Sequence, residues 1–138
     1  PMQWDDTPNA GFTTGTPWFT VNPAYKEINV AEQEKDPESI LNFYKKLIRL
    51  RKEYPIIVYG SYKLLYPAHE TAFVYERAQD NEKLLIACNF SAEGQELEAP
   101  KEFVENAAEL LISNYPVAGI SEKLSLRPYE ARVYRMIK

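Results

Sequence analysis

The sequence predicts a mainly β chain: an antiparallel β-sandwich of Greek-key type, preceded by a long loop and one α-helix. Three observations predict it. Residues 1–25 are too rich in Pro, Gly, Thr and Asn for regular structure, holding four of the ten prolines and two of the five glycines. Residues 36–54 carry apolar side chains at three- and four-residue spacing, the signature of one helical face. From residue 56 onward the chain changes to short β-branched and aromatic runs with turn residues between them, as in all-β sandwiches.

The opening stretch is PMQWDDTPNAGFTTGTPWFTVNPAY. Proline has no N–H for a ladder, and glycine makes extended order entropically costly. A long loop inside a compact domain is usually functional or disordered. Trp4, Phe12, Trp18 and Phe19 argue for order, because disordered segments are poor in aromatics. The expected object is an ordered loop, pinned by aromatics, that belongs to a site or covers one. Lys26 to Lys35 reads as a short polar connector.

The helix comes next. Asp36 is placed as its N-cap and Pro37 at its first position, where the missing N–H costs nothing. Ile40, Phe43, Tyr44, Leu47, Leu50 and Tyr54 form the apolar face. Lys45, Lys46, Arg49, Arg51 and Lys52 complement the dipole in the later turns, and Pro55 stops the helix at about Tyr54. Such a face needs something to lie on.

The strands follow. Ile57 to Tyr59 and Tyr62 to Tyr66 are separated by Gly60. Ala72 to Arg77 and Lys83 to Asn89 form a hairpin around Asp80-Asn81. Gln95 to Glu98, Ala108 to Ser113, Glu122 to Leu126 and Ala131 to Ile137 complete the set. No parallel βαβ alternation and no internal repeat appears.

Composition excludes several function classes. The 138 residues suit one ordinary domain, and 45% hydrophobic with 26% charged residues is a usual globular balance. A net charge of −4 offers no basic footprint for nucleic acid. No apolar run approaches the length of a membrane span, so no membrane partner is expected. One cysteine, Cys88, cannot make an internal disulfide, which fits a cytoplasmic setting.

PMQWD, NAGFTTGTPW and VNPAYKEINV, followed by DPESILNFYKKLIRLRKEYP, VYGSYKLL and LRPYEARVY, closely resemble the end of α-glucosidases of glycoside hydrolase family 13. The resembled branch is that of oligo-1,6-glucosidase, dextran glucosidase and trehalose-6-phosphate hydrolase. The resemblance implies that residues 1–55 are the terminal loop and last helix of a catalytic (β/α)8 barrel. It makes residues 56–138 the C-terminal β-sandwich domain. It also implies a C-terminal piece of a larger enzyme, whose partners are the remainder of the barrel and an oligosaccharide substrate. No cofactor and no metal are expected.

Retaining glycoside hydrolysis needs two carboxyl groups about 5 Å apart. In the resembled family these lie upstream of PMQW, so no catalytic residue is expected in this chain. Asp5-Asp6 is the nearest carboxylate pair, and neighbours in a loop seldom converge on one atom. Barrel active sites sit on the loops after the strands. The opening loop would be one of these, which makes Gln3 and Trp4 the substrate-proximal candidates; the plainer reading is that the tryptophans only fasten the loop.

Other residues invite weaker readings. His69 and Cys88 are the sole residues of their types, and Cys88 sits in an apolar strand pattern where cysteine is usually inert. Asn89-Phe90-Ser91 matches the glycosylation sequon but directly follows a strand. The ten tyrosines read mainly as packing, with sugar stacking by Tyr62, Tyr66 or Tyr115 as the alternative of a carbohydrate-binding module. A third reading is a helix-mediated interaction domain, self-associating through the apolar face left open without a barrel.

Overall fold

A computed structural model describes residues 1–138, which divide into two compact units, Pro1–Leu50 and Arg51–Lys138.

In the first unit the opening loop is ordered and irregular. It contains two single 3-10 turns, Pro8–Gly11 and Pro23–Lys26. The first is built around a left-handed run: Asn9 and Ala10 both have φ 58° and Gly11 has φ 65°. Only glycine, and to a lesser degree Asn, visits that region cheaply. Ala10 is held there by full burial and by two main-chain bonds onto its carbonyl oxygen, from the N–H groups of Trp4 (2.9 Å) and Asp5 (3.3 Å).

The expected polar connector contains a helix, α1 (Val30–Lys35). Its six residues are too polar to show an apolar period. What starts it is Asn29, whose side chain accepts the N–H of Glu32 at 2.9 Å. The second helix, α2 (Ile40–Glu53), stops before Pro55 as expected but begins later than the sequence suggests. Asp36 is not its cap: the Asp36 carboxylate accepts the N–H of Glu38 in a local turn, and Pro37 lies in that turn. Ser39 caps α2 instead, its hydroxyl accepting the N–H of Asn42 at 3.2 Å. A second residue supports that end, since Gln33 Oε1 accepts the Leu41 N–H at 3.0 Å. The apolar stripe of α2 is open: Ile40 is 83% exposed, and Tyr44, Leu47 and Ile48 are exposed with it.

The second unit opens with another correction. Ile56–Tyr59 is a helical turn, α3, rather than a strand. Pro55 takes helical backbone angles at its start. The Arg77 guanidinium then satisfies its carbonyls, with Nε donating to Ile56 O at 3.1 Å and Nη2 to Val58 O at 3.2 Å and Gly60 O at 2.7 Å.

The remaining strands are β1 (Ser61–Leu65), β2 (Ala72–Gln79), β3 (Glu82–Asn89), β4 (Gln95–Glu98), β5 (Glu109–Ser113), β6 (Lys123–Leu126) and β7 (Ala131–Ile137). A short helix, α4 (Lys101–Glu105), lies between β4 and β5 and has no counterpart in the sequence reading. β2 and β3 are the expected hairpin, with Asp80 supplying the positive φ of a two-residue turn. The main sheet has the order β1-β2-β3-β7-β5 and is antiparallel throughout; β4 and β6 pair as a second, smaller sheet. The final strand is therefore inserted between β3 and β5.

The two sheets sandwich one core. Val74, Leu85, Ala87, Tyr134 and Met136 from the main sheet meet Leu97, Leu124 and Leu126 from the small one, with Phe103 of α4 filling the end. On the other face of the main sheet, Ile56 of α3 packs on Leu84 and Ile86. The rest of that face carries Tyr62, Leu64 and Phe73, all exposed, beside Tyr75.

Candidate functional site

Gln3 and Trp4 form a dipeptide held by main-chain bonds to both carbonyl oxygens and from the Trp4 N–H. Gln3 O accepts the Val30 N–H and Trp4 O accepts the Ala31 N–H, each at 3.0 Å. The Trp4 N–H points the other way, to Ala10 O. Gln3 Nε2 donates to Ile28 O at 2.5 Å. The dipeptide is thus held between the first turn of α1 and the left-handed turn at Ala10. With its backbone fixed on both sides, Trp4 still exposes half of its surface.

The turn beneath it is closed by Asp5. Its Oδ1 accepts the Thr7 N–H at 2.9 Å and the Thr7 hydroxyl. Those two bonds, the hydroxyl first, hold the Asp5 carboxyl below its usual value. A carboxylate kept ionised and tied to its own turn is a structural acceptor. Asp6 is exposed, and its main-chain oxygen takes Lys26 Nζ at 2.8 Å.

The other sequence candidates fall into structural roles. His69 Nδ1 accepts the N–H groups of Thr71 (3.3 Å) and Ala72 (3.0 Å), closing the turn before β2. Cys88 lies on the opposite side of that hairpin register, across from Phe73, and burial pushes its thiol up. Asn89 is 3% exposed, and its amide is spent: Nδ2 donates to Glu93 O (2.7 Å) and Arg127 O (2.8 Å), while Oδ1 accepts from the Ser91 N–H and hydroxyl. No group of three or more His, Cys, Asp or Glu is arranged to hold a metal ion.

Among the tyrosines proposed for stacking, Tyr66 donates its hydroxyl to Glu98 O and Tyr115 lies under the Arg127 guanidinium at 5.2 Å. Tyr62 alone of the three is exposed, its ring 5.3 Å from that of Tyr75. A cleft of about 460 Å³ between β4, α4 and β6 is lined by Glu98, Lys101, Glu105, Glu122 and Lys123 and lacks the aromatic walls usual in sugar or cofactor pockets.

Sequence reasoning missed Asn29 and Ala10, the two buried residues that fix the Gln3-Trp4 dipeptide. The signal for the first was present: Asn29 followed three residues on by Glu32 is a helix-start pattern.

An ordered, aromatic-bearing loop and short helices followed by an antiparallel sandwich define the class: a mainly β chain whose β-sandwich domain follows a helical remnant. Residues 1–60 match the Alpha amylase, catalytic domain family, and residues 62–133 match the Maltogenic Amylase, C-terminal domain family. The chain belongs to the alpha-amylase family, glycoside hydrolase family 13. It is 49% identical over 138 residues to the oligo-1,6-glucosidase of Parageobacillus thermoglucosidasius, covering 99% of this chain and 25% of that protein. The crystal structure of Bacillus licheniformis trehalose-6-phosphate hydrolase superposes with a TM-score of 0.90 at 41% identity, over 100% of this chain and 25% of that one. Isomaltulose synthase from Klebsiella sp. LX3 superposes with a TM-score of 0.87, also at 41% identity, over 99% of this chain and 24% of that one. The chain spans about a quarter of the length of the relatives it matches. No helix is long and apolar enough to cross a membrane.

Proposed function

We propose that this chain is the C-terminal quarter of a retaining α-glucosidase that hydrolyses α-glucosidic bonds of short oligosaccharides in the cytoplasm. The observation that carries the reading is the match to an oligo-1,6-glucosidase along 99% of the chain, opening loop included. On this reading residues 1–55 are the terminal loop and last helix of the catalytic barrel, and residues 56–138 are its C-terminal sandwich. The reactive carboxyls reside on the remainder of the barrel, which is the chain's partner. Gln3 and Trp4 form one wall of the sugar pocket. A fixed backbone with an exposed indole supports that role, because a pocket wall must be rigid and present an apolar face to a pyranose.

The open stripe on α2 is the natural seat for neighbouring barrel helices. In the isolated chain it drives self-association, which light scattering reads directly; a monodisperse monomer at high concentration opposes this. The whole reading is tested with a chimera, in which this chain replaces the matching quarter of the Parageobacillus oligo-1,6-glucosidase. Hydrolysis of isomaltose by the chimera supports it. A folded, inactive chimera opposes it.

The row of exposed Tyr62 and Phe73 on either side of half-buried Tyr75 favours a second reading, in which the sandwich itself binds oligosaccharide by stacking. Titration with isomalto-oligosaccharides separates the two: silence of the tyrosine signals at millimolar ligand removes the binding module.

A further inference from the structure

The first turn of α1 has three N–H groups with no partner inside the helix, as every helix start does. Their destinations are specific here. Val30 N–H goes to Gln3 O, Ala31 N–H to Trp4 O, and Glu32 N–H to Asn29 Oδ1 at 2.9 Å. The same Asn29 amide donates through Nδ2 to Tyr25 O at 2.9 Å, and its own carbonyl accepts the Gln33 N–H at 3.1 Å. Asn29 is buried. It joins the end of the opening loop to the helix start and sets the pitch at which Val30 and Ala31 present their N–H groups.

We propose that Asn29 is a positioning residue for the sugar pocket: by capping α1 it aims two main-chain N–H groups at Gln3 and Trp4 and fixes the pocket wall. This rests on the reading that Gln3 and Trp4 face the substrate. Being buried, Asn29 cannot reach a sugar, so its effect on binding passes through those two residues. Removing its side chain leaves Glu32 N–H and Tyr25 C=O without partners, and the first turn of α1 loosens. The wall is then no longer held at one geometry, and the substrate must order it on binding.

The test is a double-mutant cycle in the chimera, with isomaltose as substrate. Trp4→Ala raises KM. Asn29→Ala raises KM about fivefold with kcat within about twofold, the loss expected of one helix cap. In the Trp4→Ala background Asn29→Ala adds nothing further, because the indole it positions is gone. Asn29→Ser, which keeps an acceptor for Glu32 N–H, returns KM to near the parent value.

A second variant keeps the proposal testable if Asn29→Ala does not fold. Val30→Pro deletes only the N–H that holds Gln3 O, at the helix position where proline is best tolerated. The preceding Asn29 is already extended, φ −151° and ψ 166°, as a residue before proline requires. It raises KM about threefold, again only when Trp4 is present. An equal rise in both backgrounds, or an unchanged KM in Asn29→Ala and Val30→Pro while Trp4→Ala raises it, overturns the positioning role. An unchanged KM in Trp4→Ala overturns the pocket assignment beneath it, and the proposal with it.

Discussion

Gly11 lies directly against the carboxylate of Asp5: a β-carbon on Gly11 would stand 2.7 Å from both Asp5 oxygens. Gly11 also has φ 65°, so any side chain there is strained twice, by backbone and by contact. The pair sits at the base of the loop that carries Gln3 and Trp4. Gly11→Ala is therefore expected to cost about 1–3 kcal/mol. Gly15→Ala is the control, since a β-carbon there meets only Thr13 Oγ1 at an ordinary 3.7 Å. Thermal unfolding of the chimera should show a lowered Tm for the first and no change for the second. Equal Tm values would contradict the packing described.

Glu130 and Arg132 form a buried ion pair at the end of the sandwich, with Nε to Oε1 at 2.8 Å and Nη2 to Oε2 at 2.9 Å. Burial pushes the Glu130 carboxyl up, but the Arg132 bond and the Arg127 N–H together hold it below its ordinary 4.5. A carboxyl lowered on folding stabilises above its unfolded value and loses that contribution as pH falls through its folded value. Stability should thus decline below about pH 4.5. Glu130→Gln should cost about 3–5 kcal/mol at neutral pH and flatten the acid limb, because Arg132 stays buried without its counter-charge. A variant with the parent's acid limb would contradict this.

Arg77 holds three carbonyls of the α3 turn through one planar guanidinium. Lysine cannot reproduce that fork. Arg77→Lys should cost about 2 kcal/mol in urea unfolding, mainly by releasing α3 from the sheet. Unchanged midpoints would show that Ile56 packing alone holds the turn.

Asn89 matches a glycosylation sequon yet has no free amide hydrogen. Passage of the chain through a secretory host should add no glycan, read by intact mass. A mass increase of one glycan would show that the Asn89 bonds open before or during folding.

The strand half of the fold was legible because alternation and turn residues agree with the sandwich: β4 and β7 match the expected bounds, and the β2–β3 hairpin falls at Asp80-Asn81. The errors are at the short helices and at the start of α2, where Ser39 and not Asp36 is the cap. α1 is too polar to show a period, and α4, one turn after Pro100, is too short to show one and is anchored by burial of Phe103 and by the ion pairs of Glu102 with Lys83 and Lys138. At Ile56–Tyr59 β-branched propensity pointed to a strand, but Arg77 capping and burial of Ile56 against Leu84 and Ile86 prevailed. Gln3 and Trp4 were visible in the motif. Asn29 carried the local signal of a helix start, but its link to Gln3 and Trp4, and the role of Ala10, rest on main-chain bonds such as Val30 N–H to Gln3 O and Trp4 N–H to Ala10 O, which local pattern does not encode.

The most direct measurement is the steady-state rate of isomaltose hydrolysis by the chimera, set beside the isolated 138-residue chain. The account predicts a kcat/KM within about tenfold of the parent oligo-1,6-glucosidase for the chimera, and no turnover by the chain alone. Turnover by the isolated chain that is lost on Asp5→Asn or Asp6→Asn, or a well-folded chimera without activity, would contradict it.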